Sequence, residues 1–112
     1  MHEEDRSLFP GAIEMMVLQI LRGGPLHGYV LCQIIKRNSD DLLEIEEGSL
    51  YPALQRMLKL GWVSAEWKLS ESKRRVRVYS ITRLGRKQLD HKVSAFDRMM
   101  RGIAKVMRPS ES

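Results

Sequence analysis

The sequence predicts a mainly α, α+β fold: three helices broken by a short extended segment, then a β-hairpin, then one long terminal helix. Three observations predict it. Apolar residues recur at helical spacing in three stretches before residue 61, the period changes to two beyond Gly61, and a helical period returns from Thr82 to about Met107.

The 112 residues, 43% of them hydrophobic, suffice for one domain with a single modest core, and leave little room for a large pocket. No run of about 18 uncharged apolar residues occurs, and "MHEEDRSLFP" opens with acids where a signal peptide would carry positive charge, so a cytoplasmic protein is expected. The single cysteine, Cys32, lies in apolar "YVLCQII" and reads as a buried, inert thiol.

In "AIEMMVLQILRGG", Ile13, Met16, Val17, Ile20 and Leu21 share a helical face, and Gly23-Gly24-Pro25 stops the helix. A second helix follows in "HGYVLCQIIKRNS", with Val30, Leu31, Ile34 and Ile35 inward and Lys36 and Arg37 near its C-terminal end, where the helix dipole favours cations. His27 opens it, and Gly28 is read as allowing a close approach. "LLEIEE" is too short for a helix and reads as a brief strand or extended connector.

The third helix lies in "EEGSLYPALQRMLKLGW", with Ser49 as its cap and Pro52 tolerated in a first turn whose N–H groups lack intrahelical partners. At about 100° per residue, Leu50, Ala53, Leu54, Met57, Leu58 and Leu60 cluster inward. Pro52, Gln55, Arg56 and Lys59 gather opposite, with Tyr51 on the boundary and no acid on the outer face. Such a face fits the DNA major groove: Arg and Lys bind guanine acceptors or phosphates, Gln pairs with adenine, and Tyr reaches phosphate. A charged helix face can also be merely solvated.

The flanking sequence favours the nucleic-acid reading. "WVSAEWKL" and "RVRVYSIT" read as a hairpin with a loop of about six residues around "SESKR". Lys68, Lys73, Arg74, Arg75, Arg77, Arg83, Arg86 and Lys87 meet only one acid, Glu71, between residues 68 and 87. Strand alternation puts Arg75 and Arg77 on one face and turns Val76 and Val78 to the core. The net charge of +5 conceals a division, since residues 1–48 hold nine acids and four bases and residues 49–112 five acids and fifteen bases. With a pI near 9.7, a polyanionic partner is expected of the second half.

Three separated stretches, "LHGYVLCQII", "EEGSLYPALQRMLKLGWVSAEW" and "KRRVRVYSITRLGRKQL", resemble in order and spacing the PadR family of bacterial winged helix-turn-helix transcriptional regulators, over about residues 11–90. The resemblance implies a dimeric repressor, with Ser49 to Lys59 matching the recognition helix and residues 63–81 the wing. The short C-terminal segment resembles the subgroup with one dimerisation helix. Some relatives bind planar aromatic compounds, phenolic acids or drugs, between subunits, and Phe96 is the nearest match to an aromatic that lines that cavity.

Read without the family, Leu89, Val93, Phe96, Met100, Ile103 and Met107 are spaced four, three, four, three, four, a heptad seam that needs a partner. Met99 and Val106 widen the stripe. Two units are therefore expected within one compact molecule: residues 1–82 as a winged helix-turn-helix and 83–112 as dimerisation helix and tail. Phe96, Met99, Met100, and Trp62 or Trp67 are candidates for an apolar effector cleft, although a filled core explains the same residues.

Catalysis finds no support in the sequence. His2, His27 and His91 are scattered, zinc-type spacing and a Gly-rich phosphate loop are missing, and Cys32 has no activating base near it in sequence, so no cofactor or metal is expected. The expectation is a homodimeric, sequence-specific DNA-binding repressor on an inverted-repeat operator, relieved by an aromatic small molecule in one version. A winged-helix protein-interaction module is the alternative, and it leaves the basic face without purpose.

Overall fold

The structure is a computed structural model and describes residues 9–109. His2, with the acidic start, and the tail "SES" lie outside the described residues. The chain runs α1 (Ala12–Leu21), β1 (Leu26–His27), α2 (Gly28–Asn38), α3 (Glu47–Lys59), β2 (Val63–Leu69), β3 (Arg75–Ile81) and α4 (Arg83–Met107). The three strands form an antiparallel sheet in the order β1-β3-β2, with Leu26 opposite Tyr79 and Ala65 opposite Tyr79 from the other side.

One cluster holds these elements together. Val17, Leu18 and Leu21 of α1, Leu31 and Ile35 of α2, and Leu50, Leu54 and Met57 of α3 meet Ile45, Val63, Tyr79 and Leu89 with almost no exposure. The buried stripe of α1 is thus rotated from the predicted one: Leu18 is fully enclosed, while Ile13, Met16 and Ile20 are half-buried. In α2, Leu31 and Ile35 carry the contact, and Cys32 packs half-buried beside them.

Several local expectations are corrected. Of the two readings of "LLEIEE", the connector holds and the strand does not: the segment is pinned by Ile45, and the free edge of β3 is taken by Leu26–His27, so His27 pairs with Val78 before α2 begins. The cap of α3 is Glu46, not Ser49, which sits inside the first turn. This earlier start makes Pro52 the sixth helical residue, past the orphan N–H groups, and the Gly48 carbonyl loses its helical donor. Leu60, expected inward, is 54% exposed because the helix ends there in a Schellman turn. Gly61 adopts φ +77°, its N–H reaching Leu58 O and that of Trp62 reaching Met57 O.

Strand β3 buries both of its faces near the base: Val78 is buried as expected, and so is Tyr79 on the other face. Tyr79 and Ile81 join the main cluster, so the face that carries Arg75 and Arg77 at the tip is the one that enters the core at its base. Val76 and Val78 lie on the other face, where Val78 is still buried. The hairpin closes through Lys73 N–H to Ser70 O and Ser70 N–H to Arg74 O, both 2.8 Å, with Lys73 in the left-handed region at φ 62°. That is a three-residue loop of a kind usually served by glycine at this position.

The joint between sheet and α4 is tightly built. Thr82 Oγ1 accepts the Gly85 N–H at 3.0 Å and donates toward the carbonyls of Gly61 and Trp62. A side chain on Gly85 would collide with the Trp62 carbonyl and with Ile81, so α4 can approach β2 this closely only through glycine. From Val93 onward the apolar residues of α4 are largely exposed among the described residues, and the helix extends the molecule to 65 × 29 × 21 Å.

Candidate nucleic-acid interface

The outward side of α3 is organised by three neighbours. Gly48, Pro52, Gln55 and Lys59 fall within roughly 60° of arc directly opposite the core stripe, and all four are exposed. Tyr51 flanks them toward the sheet, half-buried against Gly28, where an added side chain would meet both the Tyr51 and the Tyr79 rings. The close approach expected at Gly28 is therefore to two aromatic rings. Burial, reinforced by the Glu47 carboxylate, raises the Tyr51 hydroxyl above its ordinary value, which keeps it a hydrogen-bond donor at neutral pH.

Arg56 flanks the other side, and its guanidinium is engaged. It donates from Nε at 3.3 Å and Nη2 at 2.9 Å to Oε2 of Glu14 on α1. The pair uses two of the five guanidinium N–H donors and sets the orientation of a side chain that is still 58% exposed. Glu14 is a residue the sequence reading missed; a pairing across 42 positions carries no local signal.

Between α3 and the hairpin lies an open cleft of about 370 Å³, bounded by Tyr51 and Gln55 on one wall, Trp67, Arg75 and Arg77 on the other, and His27 and Tyr29 at the head of α2. His27 and Tyr29 stack with centroids 5.7 Å apart. Lys68 is paired with Glu66 at 3.2 Å, but Lys73, Arg74, Arg75 and Arg77 have no carboxylate partner among the described residues. The structure thus brings Tyr51, Gln55, Arg75 and Arg77 to one opening, places Lys73 and Arg74 at the hairpin tip, and keeps Ser49 in the first turn of α3.

The other candidate residues divide. Leu89 belongs to the core of its own domain, a correction to its place in the seam, whereas Val93, Phe96, Met100, Ile103 and Met107 are exposed in the single chain. Phe96 and Val93 line an apolar groove of about 330 Å³ with Met15, Met16 and Ile20 of α1. Phe96 and Met99 border a second groove beside Phe9 and Lys92, and Phe96 meets the Phe9 ring edge-on at 6.4 Å. Neither tryptophan joins them. Trp67 lies on the hairpin, and Trp62 packs against the core with Lys92 5.0 Å above its ring. No helix among the described residues is long and apolar enough to cross a membrane, and no group of three or more His, Cys, Asp or Glu there could hold a metal.

A tri-helical unit with a basic hairpin following its exposed third helix is the architecture of a winged helix-turn-helix transcriptional regulator. The chain belongs to the transcriptional regulator PadR-like family, which it matches over residues 17–91. Among solved structures it is similar to a transcriptional regulator from Clostridium thermocellum, at 28% identity and a TM-score of 0.81 over 88% of this chain and 96% of that one. A PadR family transcriptional regulator from Eggerthella lenta is 29% identical, with a TM-score of 0.75 over 90% and 86% of the two chains. Bacillus subtilis PadR, solved in complex with operator DNA, shares the fold at 21% identity and a TM-score of 0.66, over 73% of this chain and 46% of that one. No match was found among curated proteins.

Proposed function

We propose that this PadR-like regulator is a cytoplasmic, dimeric repressor that binds an inverted-repeat operator through α3 and the β2–β3 wing. The carrying observation is one predominantly basic surface running from Pro52, Gln55 and Lys59 across the cleft to Arg75 and Arg77, which have no carboxylate partner among the described residues, and on to Lys73 and Arg74 at the tip, where Glu71 is the one acid of the loop. In this reading Gln55 and Lys59 meet base edges, Tyr51 donates to phosphate, and the wing arginines follow the backbone. The operator complex of Bacillus subtilis PadR supports the same use of a shared fold.

Dimerisation is assigned to α4, whose apolar stripe from Val93 to Met107 stays exposed among the described residues, with Phe9 and α1 bordering only the first turns of that stripe. Two-fold pairing would place equivalent α3 helices on half-sites about 34 Å apart, one turn of duplex. An aromatic effector is a finer part of the proposal. Its place would be the groove beside Phe96, without the two tryptophans. Footprinting on DNA upstream of the protein's own gene, with binding measured against salt for operator and random duplex, tests the whole reading. Equal affinity for both at every salt concentration would reduce it to charge attraction.

A further inference from the structure

The wing arginines are held by an aromatic ring rather than by an acid. Trp67 on β2 pairs in register with Arg77 on β3. The Arg75 guanidinium carbon lies 4.8 Å from the Trp67 ring centroid, and that of Arg77 lies 5.7 Å from the same ring and 5.8 Å from the ring of Tyr79. Trp67 itself is 56% exposed and takes no part in the core cluster, so packing does not account for it. Apart from the Tyr79 ring beside Arg77, the two side chains have no other anchor: neither guanidinium makes a hydrogen bond or ion pair among the described residues, and Arg77 Nε is buried without a partner.

A carboxylate at position 67 would order both side chains equally well, but it would cancel their charge and occupy their donors. A ring face orders them through its quadrupole and leaves the charge intact. We propose that Trp67 is a positioning residue for DNA binding, its ring holding Arg75 and Arg77 at the mouth of the cleft so that they meet the phosphate backbone already oriented. The proposal rests on the DNA-binding reading above. Its energetic content is preorganisation: two long side chains lose their freedom before the duplex arrives instead of on arrival.

Trp67→Leu and Trp67→Phe separate this role from packing, since both keep an apolar side chain at an exposed position and only one keeps a ring. Trp67→Leu is expected to weaken operator and random duplex alike by roughly three- to tenfold, with the salt slope unchanged because the same phosphates are still neutralised. Trp67→Phe is expected to stay within about twofold of the parent, as a ring face survives. Without DNA, the upfield ring-current shifts of the Arg75 side-chain protons should persist in Trp67→Phe and vanish in Trp67→Leu, while those of Arg77, which also lies over the Tyr79 ring, should shrink. Unchanged affinity in Trp67→Leu, equal losses in both variants, or no ring-current shift in the parent would each overturn the proposal. A parent that shows the shifts but binds no duplex would overturn the DNA-binding reading and the role of Trp67 in it, while leaving the stacking established.

Discussion

Arg56 of α3 donates two hydrogen bonds to a single oxygen of Glu14 on α1, a carboxylate with only 14% of its side chain exposed, whereas Arg56 itself is 58% exposed. The pair ties α3 to the helix behind it and neutralises one of the cations on its outer side. Glu14→Gln should free that cation. Random duplex is expected to bind more tightly, with a salt slope steeper by about 0.9 per protomer, while operator affinity gains less and specificity falls. Folding stability should drop by no more than about 1 kcal/mol, given the exposed arginine. Fluorescence anisotropy across salt checks this; an unchanged slope would mean that Arg56 stays off the duplex.

Gln55→Ala is expected to relax base preference with little change in overall charge attraction, and Lys59→Ala to relax it with some loss of attraction from the removed cation, because these side chains point straight out from α3. Arg75→Ala should weaken every sequence alike and flatten the slope by about 0.9 per protomer. Competition of operator against random duplex distinguishes the two patterns.

Ile103→Lys and Met100→Glu should give monomers with an intact domain, since both side chains are exposed within the single chain and lie outside its core cluster. Sedimentation should show half the parent mass, denaturant midpoints at low concentration should barely move, and operator binding should fall. A dimer that survives both substitutions would place the interface elsewhere.

Gly85→Ala should cost about 3 kcal/mol, because the added methyl meets the Trp62 backbone carbonyl, which cannot step aside as a flexible side chain could. Gly102→Ala meets nothing within 4 Å and should stabilise the same helix by up to about 1 kcal/mol. Urea denaturation of the pair, with unchanged m-values, tests the contrast. Equal effects would contradict the close packing of α4 on β2.

Phenolic acids and planar cationic dyes titrated into the protein should bind saturably beside Phe96, with loss of operator affinity, and Phe96→Ala should abolish both effects. Tenfold derepression requires about 1.4 kcal/mol of preference for the form that does not bind DNA. If nothing saturates, the groove of Met15, Met16, Ile20 and Phe96 serves contacts between subunits instead.

What the sequence disclosed follows the reach of each signal. The order of the long helices, the hairpin, the Thr82 cap and the outward set on α3 all rest on periodicity or on one residue's local chemistry, and both are written along the chain. Two residues, Leu26 and His27, are too few to show a period, so β1 was invisible. That β3 is buried on both faces was not legible, because valines occupy one face and Tyr79 and Ile81 the other, and alternation assigns only one of them inward. Leu89 fits both a heptad and the domain core, and the core takes it. Glu14 with Arg56, and Trp67 with the wing arginines, exist only after distant segments meet.

The joint at Thr82 and Gly85 gives α4 the mechanics of a rigid arm welded at one end. Its 25 residues span about 37 Å, so a tilt of about 10° at the weld would carry the far end by roughly 6 Å. In a dimer whose arms are bound to each other, the same small tilt is expressed at the opposite ends, as a change in the distance between the two reading helices. A duplex whose half-sites repeat every 34 Å or so tolerates little error of that kind. The stiffness of one glycine-tight corner thus sets the ruler by which the pair would measure its DNA.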